Sequence, residues 1–286
     1  MLPVIACLTT SYGPYGTVAA IENIGRAGLD AVELPIRTTG SESRWGDAPL
    51  VTTESTAADL QEVDRILSRN GVRVASCLCL TGNPMLPEQG ALLRRKLDLA
   101  SHFGVKSVVC QAGDADGYDE RQQLFAAWQK IGDYADRLNI TVCLDTARGL
   151  CVNHREMLDT MQSLGHSRLR INFDPGMLLY LNDYVHGEVA LAKVCHLVKH
   201  VHLKDTPGGF GRWHFATLGT GGAVDFLRIF QILRDVRFPG PYSIDIAGID
   251  GEPPRTLEEH HQRVVESVIY LERVGFFGNR EKSANP

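Results

Sequence analysis

Ile140-Thr-Val-Cys-Leu-Asp145, Leu169-Arg-Ile-Asn-Phe-Asp174, His200-Val-His-Leu-Lys-Asp205 and Tyr242-Ser-Ile-Asp245 are four apolar, β-rich segments, each with an aspartate or histidine at or near its carboxyl end. They recur roughly every 30 to 40 residues with helical patterns between them, the rhythm of parallel strands joined by helices. Parallel strands place all their carboxyl ends on one side of a sheet, and in a closed (β/α)8 barrel that side holds the active site. Asp145, Asp174, His202 and Asp245 would then converge from consecutive strands, in a set of donors suited to one divalent cation.

Strand side chains alternate between faces with a period of two. One face carries Cys143 and Asp145, Asn172 and Asp174, His200 and His202, Ser243 and Asp245. The other carries Val142 and Leu144, Ile171 and Phe173, Val201 and Leu203, Ile244 and Ile246. The apolar face is expected to pack on outer helices and the polar face to look into the barrel.

Outward from these segments the pattern repeats. Strands are expected at Val4–Thr9, Ala31–Pro35, Val72–Leu80 and Ser107–Gln111, with helices at Val18–Ala27, Ser55–Asn70, Glu88–Phe103 and Glu120–Leu138. In the second half, helices are expected at His154–Leu164, Gly187–Val198, Val224–Asp235 and Leu257–Val274. The reading is an α/β chain with eight strand–helix units, one TIM barrel domain over residues 1–276 and a polar tail over 277–286. Between Arg37 and Thr53 the sequence is polar and irregular, a long loop over the barrel mouth where substrate contacts collect. Glu33, near the end of the second strand, is read as a substrate-binding residue.

The bulk numbers narrow the function. The chain has 286 residues, 44% hydrophobic, with 29 basic and 34 acidic side chains and a net charge of −5. No basic block appears, which argues against nucleic acid and anionic membranes as partners. No apolar run reaches the ~18 residues of a spanning helix. Met1-Leu-Pro-Val-Ile-Ala6 lacks the basic start of a signal peptide and reads as the first strand. Seven cysteines, none in a Cys-x-x-Cys pair, suit a reducing, cytoplasmic setting. Cys79 is the one thiol read as a candidate for the pocket, against burial in the core.

Two loops stand out. Thr206–Leu218 holds three glycines followed by Arg212-Trp-His214, a composition suited to a lid over a polyol, with Arg212 and Trp213 as substrate contacts. The stretch Leu218-Gly-Thr-Gly-Gly-Ala-Val-Asp225 places glycines before a helix start. That resembles a phosphate cradle but lacks the spacing and lysine of a P-loop, and a tight turn ending in a helix cap is the preferred reading. Lys204 is open to two roles, binding an anionic group of the substrate or closing a salt bridge within the barrel.

Ile171-Asn-Phe-Asp-Pro175, His200-Val-His-Leu-Lys-Asp-Thr206, Leu218-Gly-Thr-Gly-Gly-Ala-Val-Asp-Phe226 and Tyr242-Ser-Ile-Asp-Ile-Ala-Gly-Ile-Asp-Gly-Glu252 resemble the xylose isomerase-like sugar phosphate isomerase/epimerase family of TIM barrels. The resemblance implies a metal site of Glu, Asp, His and Glu on strands 5 to 8, which falls on Asp145, Asp174, His202 and Asp245. Two positions depart, because Asp145 and Asp245 stand where the family has glutamates that also exchange protons with the substrate. Aspartate is shorter by one methylene, about 1.5 Å. The family's histidine after the strand 5 acid is also absent, and Arg148 is the polar residue nearest that place.

The resemblance implies a cytoplasmic isomerase or epimerase of a sugar, sugar phosphate or keto-polyol, working through an enediolate with Asp145 and Asp245 as the proton-transfer pair. Mn²⁺ or Mg²⁺ are the first choices of cofactor, then Co²⁺ or Zn²⁺. The partner is a small-molecule sugar or polyol, with a homo-oligomer left open. The rival readings are a metal-dependent dehydratase or lyase on a keto-polyol and a sugar-binding protein with a degenerate site.

Overall fold

A computed structural model describes residues 3–277. Eight strands pair in parallel in chain order: β1 (Ile5–Leu8), β2 (Ala31–Arg37), β3 (Arg73–Leu78), β4 (Ser107–Gln111), β5 (Thr141–Asp145), β6 (Leu169–Phe173), β7 (Val198–Leu203) and β8 (Tyr242–Ile244). β1 bonds to both β2 and β8, in the registers Cys7 to Val32 and Cys7 to Ile244, and so closes a (β/α)8 barrel. Around it run α1 (Gly16–Asn23), α2 (Ala57–Arg69), α3 (Pro87–His102), α4 (Gly117–Arg137), α5 (His154–Leu164), α6 (Pro175–Leu181), α7 (Gly187–Val194), α8 (Phe226–Asp235) and α9 (Leu257–Arg273).

Local sequence sets the helix ends. Capping boxes start α2 (Thr56 with Asp59) and α9 (Thr256 with Glu259), each satisfying amides that the first turn leaves free. Asn153 caps α5, which Gly165 ends in the left-handed region at φ 56°. The main core lies between strands and helices, where Val142, Leu144, Ile171, Phe173, Val201, Leu203 and Ile244 are all buried. A second, small apolar cluster of Leu8, Leu78, Val109 and Cys143 fills the barrel interior on the same side chain parity as Asp145. Among the described residues no helix is long and apolar enough to cross a membrane.

Several elements differ from the expected ones. The expected helix Val18–Ala27 is α1 followed by a 3₁₀ turn at Ile24–Ala27, and α7 gives way to a 3₁₀ turn at Cys195–Leu197, so that β7 begins at Val198. A 3₁₀ segment at Thr9–Tyr15 and helix α6 were not expected from the sequence. α6 forms because Pro175 fixes the first helical position and the Asp174 carboxylate accepts from the Met177 amide at 2.8 Å. His214–Phe215 and Gly248–Ile249 pair as an antiparallel ribbon across the mouth. Of the polar tail expected over 277–286, residues 278–286 lie outside the described residues.

Candidate active site

Asp145, Asp174, His202 and Asp245 meet at the carboxyl ends of β5 to β8. His202 Nδ1 lies 3.9 Å from Asp145 Oδ1, 3.7 Å from Asp174 Oδ2 and 3.9 Å from Asp245 Oδ2. Ligands bound to one cation at about 2.1 Å stand roughly 3.0–3.5 Å apart in octahedral or tetrahedral geometry. Asp145, Asp174 and His202 offer ligand atoms that all lie within 4.8 Å of one another, and Asp245 stands beside them. Asp245 Oδ1 is buried and makes no hydrogen bond, and Asp174 Oδ2 has only the Lys204 ammonium beside it. Buried polar atoms normally find partners, and an acceptor oxygen left over in this acidic cluster suits a metal ion.

The position of each group follows from strand alternation and from polar contacts beneath it. Thr146 donates from Oγ1 to the Asn172 carbonyl at 3.0 Å and accepts the Asp174 amide at 3.0 Å, which ties the ends of β5 and β6 together. The Asn172 amide donates to Asp145 Oδ1 at 2.6 Å and to His202 Nδ1 at 3.0 Å, while its oxygen accepts from His200 Nδ1 at 2.8 Å. His200 Nε2 in turn lies 2.9 Å from Ser76 Oγ and 3.3 Å from Ser243 Oγ. This network assigns His202 a hydrogen on Nε2, which donates to Glu33 Oε2 at 3.0 Å, and leaves Nδ1 accepting from Asn172 among the three aspartates.

The electrostatics follow from burial among like charges. Burial acts to raise the Glu33 carboxyl, but His200 and His202 outweigh it and bring its pKa down to about 2. Burial pushes His200 down to about 4 and Asp145 up to about 6. Burial disfavours charge on His202, yet Glu33, Asp174 and Asp145 together hold its pKa well above the usual value. A proton and a cation thus compete for Nδ1. Lys204 Nζ sits 3.0 Å from Asp174 Oδ2 and 2.7 Å from Asp245 Oδ2, and these carboxylates raise its pKa against the pull of burial. Four carboxyl groups face one ammonium and two imidazoles, a balance that a divalent cation would improve.

The other sequence-selected residues divide. Glu33 is fully buried and bonded to His202, one layer below the mouth. Its observed partner is the histidine, with Oε2 accepting from His202 Nε2 at 3.0 Å. Lys204 makes the salt bridge within the barrel. Trp213 is half-buried, donates from Nε1 to the Ala247 carbonyl at 3.3 Å, and lines a cleft of about 490 Å³ with Thr10, Arg44, Trp45 and Ile246. Arg212 is exposed and lies outside that cleft's lining, in a turn where its amide donates to the Gly209 carbonyl at 3.1 Å. Arg148 is exposed. Cys79 is buried in the main core, and burial pushes its thiol up to about 12.

The glycine-rich stretch before α8 is the turn and helix cap preferred from the sequence. Asp225 caps α8 through the Arg228 amide at 2.9 Å. The amides of Thr206, Gly219 and Val224 donate to the Asp205 carboxylate at 2.9, 3.3 and 3.3 Å. A Cβ on Gly222 would stand 1.8 Å from Asp205 Oδ1, so glycine is required there. The protein's own carboxylate fills the cradle.

Sequence reasoning placed Asn172 on the inward face without giving it a role, and it missed Ser76. Their signal was parity alone. Asn172 lies two residues before Asp174, and Ser76 is set on β3 beside Glu33 of β2 by the register of those strands.

The sequence profile of xylose isomerase-like TIM barrels matches residues 21–267. An L-ribulose-5-phosphate 3-epimerase, UlaE, of Salmonella paratyphi B is 27% identical over 245 residues, covering 79% of this chain and 81% of its own. Among solved structures, a xylose isomerase-like TIM barrel protein from Mycobacterium smegmatis in complex with magnesium superposes with a TM-score of 0.72 at 16% identity, over 96% of both chains. A D-psicose 3-epimerase crystallised in the presence of D-fructose superposes with a TM-score of 0.73 at 12% identity, over 94% of this chain and 98% of that one.

Proposed function

This chain belongs to the xylose isomerase-like TIM barrel family, and from that premise we propose that it is a divalent-metal-dependent epimerase or isomerase of a sugar, sugar phosphate or keto-polyol. That it is an enzyme of the sugar isomerase and epimerase kind follows from its relatives. The reaction, the metal and the residue roles are the proposal. One observation carries it: His202 Nδ1 and an oxygen from each of three aspartates converge within 3.7–3.9 Å at the carboxyl ends of consecutive strands.

Asp145, Asp174, His202 and Asp245 would hold the cation, with Mn²⁺ or Mg²⁺ suited to the oxygen-rich set and Co²⁺ or Zn²⁺ next. When bound, such an ion polarises a carbonyl and stabilises the charge of an enediolate. Asp145 and Asp245 take up and return the substrate proton. Epimerisation delivers the proton to the opposite face, so two carboxylates are needed, and β5 and β8 supply one each. Lys204 positions Asp245 through its 2.7 Å contact, and Asn172 positions Asp145. These contacts supply the placement that the family's longer glutamates obtain from reach.

Deuterium uptake from D₂O into a panel of ketoses and their phosphates, on Mn²⁺-loaded protein, tests the reading. Exchange at the carbon beside the carbonyl, with the sugar otherwise intact, is the expected result. An enone or diketone product would move the assignment to a lyase, and metal-loaded protein that exchanges no ketose would overturn the epimerase reading.

A further inference from the structure

We propose that Thr10, Arg44 and Trp45 form a second subsite at the barrel mouth, which binds the terminal anionic group, a phosphate or a carboxylate, of a sugar whose reacting carbons lie at Asp145 and Asp245. The inference rests on the epimerase reading for the position of the sugar, and it names the class of substrate. Thr10 follows β1, the strand between β8 and β2. Ser11, its neighbour, accepts the Ile246 amide on Oγ at 3.0 Å, so Thr10 is held next to the turn that leaves Asp245.

Two clefts open there, of about 490 and 310 Å³, and Thr10, Arg44 and Trp45 line both. Thr10 is only 3% exposed, yet its hydroxyl has no hydrogen-bond partner, and neither does the buried indole Nε1 of Trp45. Unmade hydrogen bonds of buried groups are unfavourable unless a ligand completes them. The indole and the guanidinium can only donate, and the hydroxyl can donate as well. Such a trio complements a group made of acceptors, and a charged oxygen answers it more strongly than a sugar hydroxyl does.

Charge agrees with this. The larger cleft is lined by Arg44, Arg255 and Arg263 against Asp250 and Glu252. Glu252 is engaged by Arg255 at 3.0 Å and Arg263 at 3.5 Å. Arg44 meets Asp250 at the surface, where both side chains are about half or more exposed, a pairing that a substrate anion can replace at little loss.

The subsite is also built in advance. Asp47, almost fully buried, takes the Arg37 guanidinium on both oxygens at 2.7 and 2.6 Å, and Ser43 bonds to it as well. Ser43 Oγ then accepts the Trp45 amide at 3.1 Å, and the Arg44 guanidinium lies 3.9 Å above the Trp213 ring. Elsewhere the anion-binding groups are taken: Lys204 by Asp174 and Asp245, and the amides of the glycine-rich turn by Asp205.

Calorimetric titration of the Mn²⁺-loaded protein with two matched pairs tests the subsite: D-ribulose 5-phosphate against D-ribulose, and D-fructuronate against D-fructose. The anionic member of one pair should bind at least tenfold more tightly, and the pair that shows it identifies phosphate or carboxylate. Thr10→Val and Trp45→Phe should each cut that preference at least threefold, while Thr10→Ser, which keeps the hydroxyl, retains it. A ratio near one in both pairs, or a preference untouched by Thr10→Val and Trp45→Phe, overturns the proposal. Deuterium exchange is scored separately. Tight anion binding without exchange leaves the subsite standing and removes the epimerase reading, and exchange without anion preference does the reverse.

Discussion

Glu33 and Asn172 decide what His202 can do. Neither is placed to be a ligand in the four-residue set, yet Glu33 takes the Nε2 hydrogen at 3.0 Å and Asn172 presents an amide to Nδ1 at 3.0 Å. Together they select the tautomer with its hydrogen on Nε2, and a cation at Nδ1 would take the place of the Asn172 amide. Outer partners of this kind change metal affinity by about 10- to 100-fold when mutated. Glu33→Gln should therefore weaken Mn²⁺ binding within that range while leaving the ligand count unchanged, as read by calorimetry and by metal content after dialysis. An affinity equal to wild type would show that the histidine needs no such partner. The acids themselves answer to a different measurement. Asp145→Asn and Asp245→Asn keep size and part of the coordinating capacity but remove the base. Each should lose at least about a hundredfold in deuterium exchange rate, the low end for general acid–base catalysis, while still retaining some metal. Equal exchange in both variants would remove them from the proton-transfer role.

At the level of the element, strand parity explains both what the sequence disclosed and what it concealed. Asp145, Asp174, His202 and Asp245 were legible because each ends a β-rich run whose other face is apolar. The same rule puts His200, His202 and Lys204 on one face of β7 and its extension, and Val201, Leu203 and Asp205 on the other. Asp205 thus turns away from His202 and Asp174 and into the glycine-rich turn. Depth within the barrel was not legible, since it depends on the stagger between strands. The bond between Glu33 and His202 at 3.0 Å is one consequence of that stagger. Nor were α6 and the ribbon of His214–Phe215 with Gly248–Ile249, because each is short and arises from contacts between distant loops. The Asp205 turn carries its own prediction. Three backbone amides depend on this one carboxylate, and a buried donor left unpaired costs about 1–3 kcal/mol. Asp205→Ala should destabilise the protein by about 3 kcal/mol, equivalent to roughly 6–12 °C in Tm for a chain of this size. A melting temperature within 2 °C of wild type, with that figure taken as about the smallest shift worth reading, would show that water replaces the carboxylate there.

For the whole molecule, the barrel gathers Glu33, Asp145, Asp174 and Asp245 at one end of its axis, and with the proposed cation this arrangement should make stability depend on metal and on pH together. The buried carboxyl of Asp145 has its pKa raised from 3.8 to about 6, because burial disfavours its ionised form. The folded, metal-free protein therefore holds a proton on Asp145 that the unfolded chain has released between those two values. On this group's account, metal-free stability is greatest below about pH 4 and declines as pH rises through 6. Metal binding runs the other way, since the cation requires the ionised carboxylate and must displace the proton. At a free Mn²⁺ concentration of about 100 times its Kd, binding to the folded state alone should add about 2.7 kcal/mol, or roughly 5–10 °C in Tm. That gain should be full above about pH 7 and should shrink as pH falls through 6, with chelation by EDTA abolishing it at every pH. In Asp145→Asn, which has no proton to lose at this position, the residual metal-induced shift should be smaller and should vary less between pH 5 and 7. Thermal denaturation of both proteins with Mn²⁺ or EDTA across that range decides the matter. A wild-type shift that stays constant from pH 5 to 7 would mean that Asp145 does not bind the cation.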